Sequence, residues 1–201
     1  MAQLPSASRT LVAAFNGGFL MKDTKGGYFS EGRTVAPLRV GGASLVIYRN
    51  GFATVGQWGR DVGMTPNVVA VRQNLTLLVD NGQPVPGLNP YDISAWGSTL
   101  GNIPNPWRSG LGITADGALV YVAGANLEIT QLAALLVRAG AARAMELDIN
   151  PAWPTFATYD PATGTPASPA NGTDLISGME GQPDRFFEAW WARDFITMSA
   201  K

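Results

Sequence analysis

The chain contains no histidine and no cysteine. Without histidine there is no Ser/His or Cys/His catalytic pair and no histidine-ligated zinc, so proton transfer near neutral pH falls to carboxylates, Tyr or Lys. Lysine is scarce too, with Lys22, Lys25 and Lys201 the full set. Without cysteine there is no disulfide, thiolate nucleophile or iron–sulfur ligation, and the redox compartment stays open. Charge is sparse and balanced: 14 Lys plus Arg against 15 Asp plus Glu give a net charge of −1. That balance offers no general attraction for nucleic acid or an anionic membrane surface. The longest apolar run in the helical stretch, Leu132 to Val137, is far short of the ~20 residues that span a bilayer. Residues 1–10 lack the basic and apolar regions of a signal peptide, so the targeting segment of an exported protein would lie outside this chain.

Glycine and proline are plentiful instead, at 24 and 14 residues, within a composition that is 46% hydrophobic. Over 201 residues this predicts a single globular domain with many tight turns between short elements. Leu11-Val-Ala-Ala-Phe15 reads as a buried strand that enters a turn at Asn16-Gly17-Gly18, where glycine's conformational freedom is needed. Strands over 43–49 and 52–55 flank Asn50-Gly51, the strongest short hairpin signal. A second strand pair is expected from Val68–Arg72 and Leu75–Val79, followed by a turn at Asp80-Asn-Gly82. A third hairpin joins 110–114 to 118–122 around Asp116-Gly117. Three Asx-Gly turns imply an α+β fold with a largely antiparallel, twisted sheet.

Two main helices accompany the strands. Ile129, Leu132, Ala133, Leu136 and Val137 follow helical spacing, with Thr130 as the expected cap and Gly140 as the stop. A final helix is expected over 184–193, then a closing strand over 194–198. Residues 160–183, rich in Pro, Ala, Thr, Gly and Ser, read as a long surface loop.

Carboxylates supply the sharpest chemical signal. In Arg143-Ala-Met-Glu-Leu-Asp148, strand alternation puts Met145, Leu147 and Ile149 on one face and Glu146 and Asp148 on the other. Ionised groups in so apolar a stretch are paired or functional. Positions two apart on a strand are ~6.5–7 Å apart at Cα. Side-chain reach then allows either retaining (~5–5.5 Å) or inverting (~6.5–9.5 Å) glycosidase separations. An ion pair to Arg108, Arg138 or Arg143 is the competing reading. Arg108-Ser109, before Gly-Leu-Gly-Ile, can place a guanidinium fork on a phosphate or serve as a surface Arg. Asn16 with the Gly17 and Gly18 amides can orient a ligand or simply turn the chain. Trp96, Trp107 and Trp153 occupy expected loops, Trp190 and Trp191 the last helix; a loop Trp stacks on a sugar face or anchors its loop to the core.

Taken in order, Asn16-Gly-Gly-Phe19, Leu77-Leu-Val-Asp-Asn-Gly82, Arg108-Ser-Gly-Leu-Gly-Ile-Thr-Ala-Asp-Gly117 and Met145-Glu-Leu-Asp148 resemble the phosphodiester glycosidase family over about 11–150. The resemblance implies that Asn16, Arg108 and Asp148 occupy active-site positions, that the substrate is a sugar-1-phosphodiester, and that the protein is extracytoplasmic or of the cell envelope. On that reading Asp148, Glu146 and Arg108 are catalytic, with Asn16, Gly17, Gly18, Ser109, Asn150 and Trp153 binding substrate. No cofactor or metal is required, although scattered carboxylates leave a divalent cation open. Where the family continues Asp-Gly-Gly-Gly-Ser, this chain reads Asp148-Ile-Asn-Pro-Ala-Trp153. Pro151 removes an N–H donor and bulky Trp153 occupies space that the family leaves open, so a backbone nest and a serine are lost, with Asn150 and Glu146 the residues expected to compensate. Two rivals therefore remain: a non-catalytic module that binds carbohydrate or a cell-envelope glycopolymer, and a carboxylate-pair hydrolase of sugar–sugar bonds.

Overall fold

The computed structural model describes Leu4 and residues 8–98, 101, 103–160, 164–188 and 193–200. In chain order the elements are β1 (Leu11–Asn16), α1 (Met21–Thr24), β2 (Tyr28–Ser30), β3 (Arg33–Ala36), β4 (Ala43–Tyr48), β5 (Ala53–Gln57), β6 (Val68–Gln73), β7 (Leu77–Asp80), β8 (Gln83–Pro84), α2 (Ile93–Trp96), β9 (Arg108–Thr114), β10 (Leu119–Gly124), α3 (Ile129–Arg138), β11 (Ala141–Glu146), β12 (Phe156–Thr158), β13 (Thr173–Asp174) and β14 (Phe195–Ser199). Every ladder between these strands is antiparallel. The fold is α+β with antiparallel sheet predominant. The chain divides into two compact units, Met1–Gly17 with Asn150–Lys201, and Gly18–Ile149.

The first unit is built on a four-stranded sheet in the order β13-β12-β1-β14. β1 is central and buried along most of its length, which is why it reads as a continuous apolar run rather than an alternation. Leu11, Ala14 and Ala157 pack there with Tyr159, Phe186 and Phe187. The closing strand expected near 194–198 is β14, paired along β1 from Leu11↔Ser199 to Asn16↔Phe195. The stretch over 160–183 is not wholly loop: β13 adds to the sheet edge, and Ala167 exchanges backbone hydrogen bonds with Ser8. The helix expected over 184–193 is corrected. Pro183–Phe187 forms a five-residue 3-10 turn and Glu188 is extended. Burial of the consecutive Phe186 and Phe187 suits a short tight turn, whereas an amphipathic helix repeats its apolar positions every three to four residues. Residues 189–192, with Trp190 and Trp191, lie outside the described residues.

The second unit holds two five-stranded sheets, in the orders β10-β9-β11-β7-β8 and β3-β2-β6-β4-β5. Helix α3 packs Leu132, Ala133 and Leu136 against Leu78, Val79 and Ala144. Close approach is permitted by Gly110 of β9, whose Cβ would lie 3.0 Å from Leu136 Cδ1. β5 packs with β9 and β11, and Arg143 Nε donates to the Val55 carbonyl at 3.0 Å. The start of α3 departs from expectation: Glu128, not Thr130, is the N-cap, and it forms a capping box with Gln131, whose side chain accepts the Glu128 N–H at 2.8 Å.

The hairpins at Asn50-Gly51 and Asp116-Gly117 form as their turn chemistry requires, as β4–β5 and β9–β10. The expected pair of strands over 68–72 and 75–79 is a correction, because β6 joins β2 and β4 while β7 joins β11 and β8. The chain changes sheets at Asn74-Leu75. Leu75 takes a left-handed φ of 54°, and Ala43 braces the crossover by donating to the Leu75 carbonyl at 3.1 Å and accepting the Asn74 N–H at 3.0 Å.

Candidate functional site

In the second unit, β9 and β11 bring Arg108, Ser109, Glu146 and Asp148 together. Glu146 pairs with Gly110 across the two strands, so it shares a face with Arg108, the diagonal neighbour two residues away. Arg108 Nη1 lies 2.5 Å from Glu146 Oε1, with the side chains 2% and 0% exposed. The remaining Arg108 donors turn inward as well, Nε to the Leu127 carbonyl at 2.8 Å, Nη1 to Trp96 at 3.4 Å and Nη2 to Pro104 at 3.2 Å. Arg108 is thus a buried residue rather than a surface one. Glu146 Oε2 is buried with no hydrogen-bond partner among the described residues. Burial pushes the Glu146 carboxyl up to about 8, with Arg108 opposing that rise and Asp148 adding to it.

Beyond Glu146 the ladder changes. The Leu147 N–H donates to the Ser109 carbonyl at 2.8 Å, while the Ser109 N–H donates to the Asp148 carbonyl at 3.1 Å. Two residues of one strand therefore oppose one of the other, a β-bulge that ends strict alternation between Glu146 and Asp148. The expectation of one shared, regular strand face is corrected at this point. Ser109 reinforces the bulge through Oγ, which donates to the Asp148 carbonyl at 2.9 Å. Asp148 Oδ1 accepts the Ile149 N–H at 2.8 Å, and Asp148 is 2% exposed.

Two further residues join this group without having been singled out in the sequence. Tyr121, on the same face of β10 as Ser109 by register, is hydrogen-bonded to the Ser109 hydroxyl. Burial raises the Tyr121 phenol above its ordinary range, Ser109 opposing and the Asp148 charge adding, so it stays a neutral hydroxyl. Its place in the β10 alternation, diagonal to Ser109, was the available signal. Asn74 is fully buried and donates through Nδ2 to the Glu146 and Leu147 carbonyls at 2.8 and 3.2 Å. Its Oδ1 accepts the Phe19 N–H at 3.1 Å. Arg72 Nη2 holds the Phe19 carbonyl at 2.6 Å. Gly18 is required by this packing, since its Cβ would lie 2.7 Å from Asn74 Cγ. Its role is close approach rather than the unusual φ expected of a turn, and the same holds for Gly17.

The remaining expected site residues belong to the first unit. Asn16 is 3% exposed; its Nδ2 donates to the Gly17 carbonyl at 2.7 Å and its Oδ1 accepts the Thr155 N–H at 3.2 Å. A Cβ on Gly17 would lie 2.2 Å from Asp194 Oδ2. Asn150 forms an Asx turn, with Oδ1 accepting the Ala152 N–H at 3.1 Å and its carbonyl accepting from Trp153 at 2.8 Å. Trp153 is half-buried, with the Arg193 guanidinium 4.8 Å from its ring centroid. Among the described residues, no group of three or more acidic side chains is placed to hold a metal ion. Among those residues, no helix is long and apolar enough to cross a membrane.

A buried carboxyl with one free oxygen, a second carboxylate two residues on and a guanidinium on the first can protonate a leaving oxygen and stabilise the charge that results. The zebrafish N-acetylglucosamine-1-phosphodiester alpha-N-acetylglucosaminidase catalytic domain, auto-inhibited by its pro-peptide, aligns over 94% of this chain and 62% of its own at 18% identity, with a TM-score of 0.51. The chain thus spans less than two thirds of that domain, and the likeness is one of fold. A hypothetical protein from Synechocystis aligns over 84% of this chain and 51% of its own at 12% identity, with a TM-score of 0.46. Curated proteins give no match. The phosphodiester glycosidase family model matches residues 9–148, more than half of the chain and the same stretch that carries the ordered motifs from Asn16 to Asp148, and the chain belongs to that family.

Proposed function

We propose that the protein hydrolyses a sugar-1-phosphodiester at the anomeric C1–O bond. The observation that carries this reading is Glu146, fully buried, with Oε1 held by Arg108, Oε2 buried without a hydrogen-bond partner among the described residues, and the carboxyl pushed up to about 8. At neutral pH such a group is a proton donor. Glu146 protonates the departing phosphate oxygen, and Arg108 stabilises the carboxylate left behind. Asp148 deprotonates the water that attacks the anomeric carbon, or attacks it directly to give a glycosyl–enzyme ester that a second water then cleaves as the Glu146 carboxylate takes that water's proton; by either route the products are a free sugar and a phosphate monoester. A phosphate monoester leaves more readily than a sugar alkoxide, which suits a site without histidine. Asn16, Gly17, Gly18, Ser109, Asn150 and Trp153 are the substrate-binding candidates that the family resemblance names. The zebrafish enzyme's name supplies the first sugar to try, N-acetylglucosamine. An extracytoplasmic or cell-envelope setting, where glycosyl phosphates are exposed, fits the same reading.

One observation favours a second reading, a carbohydrate- or glycopolymer-binding module. Arg108 spends its donors on Glu146 and three backbone carbonyls, and the glycine-serine nest after Asp148 is absent. Parallel assays on an N-acetylglucosamine-1-phosphodiester and an aryl glycoside decide between them. Release of sugar and phosphate monoester from the first supports the proposal. Turnover of the aryl glycoside alone points to a sugar–sugar hydrolase, and binding without turnover to a module.

A further inference from the structure

We infer that Asn74 is a positioning residue, the side chain that fixes the bulged Glu146–Asp148 segment in place. The inference deepens the proposed function and rests on that reading for its catalytic consequence, though not for its geometry.

β7 begins at Leu77, which pairs with Met145, so β11 has no β7 residue opposite it beyond that point. The Glu146 and Leu147 carbonyls face this gap, and one Asn74 amide satisfies both, at 2.8 and 3.2 Å. Its oxygen takes the Phe19 N–H, so a single fully buried side chain links the end of β11 to the segment after Gly18. Asn74 is itself anchored at the sheet crossover by its N–H to the Ala43 carbonyl. On the other edge, Ser109 fixes the same bulge through its N–H and Oγ. Asn74 and Ser109 grip successive carbonyls from opposite sides and leave little freedom for the Glu146 carboxyl to move out toward water. The charged groups that act on that carboxyl are Arg108 of β9 and Asp148 of its own segment.

The test follows the Glu146 carboxyl by NMR in carboxyl-13C glutamate-labelled protein, its resonance assigned by loss in Glu146→Gln. Asn74→Leu keeps the size, removes both donors and adds no charge beside Glu146. Gly18→Ala keeps Asn74 and displaces its amide. In either variant, folded by circular dichroism, the Glu146 titration should fall by about one pH unit or more relative to the unaltered protein as the carboxyl gains solvent. On a confirmed substrate kcat should fall roughly a hundredfold with KM little changed. An unchanged Glu146 titration in a folded variant overturns the positioning role. If Asn74→Leu does not fold, Gly18→Ala decides alone; should both unfold, Asn74 is a stability element and the inference fails. A shifted titration in a protein that hydrolyses no phosphodiester upholds the positioning and rejects the catalytic reading, so the two failures are distinct.

Discussion

Arg108 and Glu146 form a closed, buried contact, Nη1 to Oε1 at 2.5 Å, on the helix-covered face of the sheet that carries β9 and β11. Removing one partner of a buried pair leaves the other charge unpaired, which typically costs about 3–5 kcal/mol. Arg108→Met should therefore destabilise the protein by roughly that amount at pH values where Glu146 ionises, and by less under acid. The double variant Arg108→Met/Glu146→Leu should recover most of the loss. Urea unfolding of the three proteins checks this, and a single variant as stable as the parent would show that the pair does not support the fold.

The raised Glu146 carboxyl carries a second consequence. Its folded value of about 8 exceeds the ordinary 4.5, so between these limits the folded state binds more protons than the unfolded one. Stability must then fall with rising pH. The contribution of the protonated carboxyl is fully present below 4.5 and is lost as pH rises through about 8. Melting temperature should decline across that window, and Glu146→Gln should flatten the decline. Activity should likewise fail on the alkaline side near 8, where the proton donor is lost. A melting temperature that rises from pH 5 to pH 8 would contradict the assignment.

Asp148→Asn keeps the side-chain shape and the Oδ1 acceptor that receives the Ile149 N–H. It removes the negative charge on which attack or water activation depends. The variant should fold with its melting temperature within a few degrees of the parent while turnover drops by orders of magnitude. Near-normal turnover on a confirmed substrate would release Asp148 from the catalytic role. The same change should ease the Glu146 carboxyl downward, because Asp148 is one of the charges that raise it.

How much of this was legible in the sequence depends on how local the determining physics is. The hairpins at Asn50-Gly51 and Asp116-Gly117 were readable because two residues of turn chemistry set them, and α3 because its apolar spacing sustains three turns. Pairing between distant segments was not readable. β6 and β7 look like one hairpin in sequence, and only the left-handed Leu75 and the Ala43 hydrogen bonds around it send them into different sheets. Short strands such as β2, β12 and β13 hold two or three residues each, too few for a period.

The candidate site divides along the same line. Glu146 and Asp148 stood out because charge in an apolar run is conspicuous, and the ion pair to Arg108 was one of the readings that pattern allowed. The bulge opposite Ser109 leaves no mark in composition, and the roles of Asn74 and Tyr121 arise from register across strands. Asn74 in particular sits 72 residues from Glu146, the hydrogen-bond partner whose carbonyl it holds.

Trp153 offers the last prediction. The segment Asn150-Pro-Ala-Trp153 replaces a glycine-rich loop, and its Trp either presents a stacking face to a sugar or plugs the core. Its observed setting narrows the second option: the residue is half-buried and its ring carries the Arg193 guanidinium at 4.8 Å. Truncating a fully buried Trp costs about 3–5 kcal/mol. Trp153→Ala should fall short of that, at roughly 1–2 kcal/mol, from partial loss of apolar burial and of a cation–π contact worth about 0.5–1 kcal/mol. If the ring is a substrate wall, affinity for the sugar should weaken in the same variant, while Trp153→Phe should restore much of it by keeping a stacking face. Arg193→Ala separates the two contributions, since it removes the cation and leaves the ring. Calorimetric titration with the sugar, alongside melting curves, reads both quantities. A loss of 3 kcal/mol or more with unchanged sugar affinity would make Trp153 a core residue and end its substrate role.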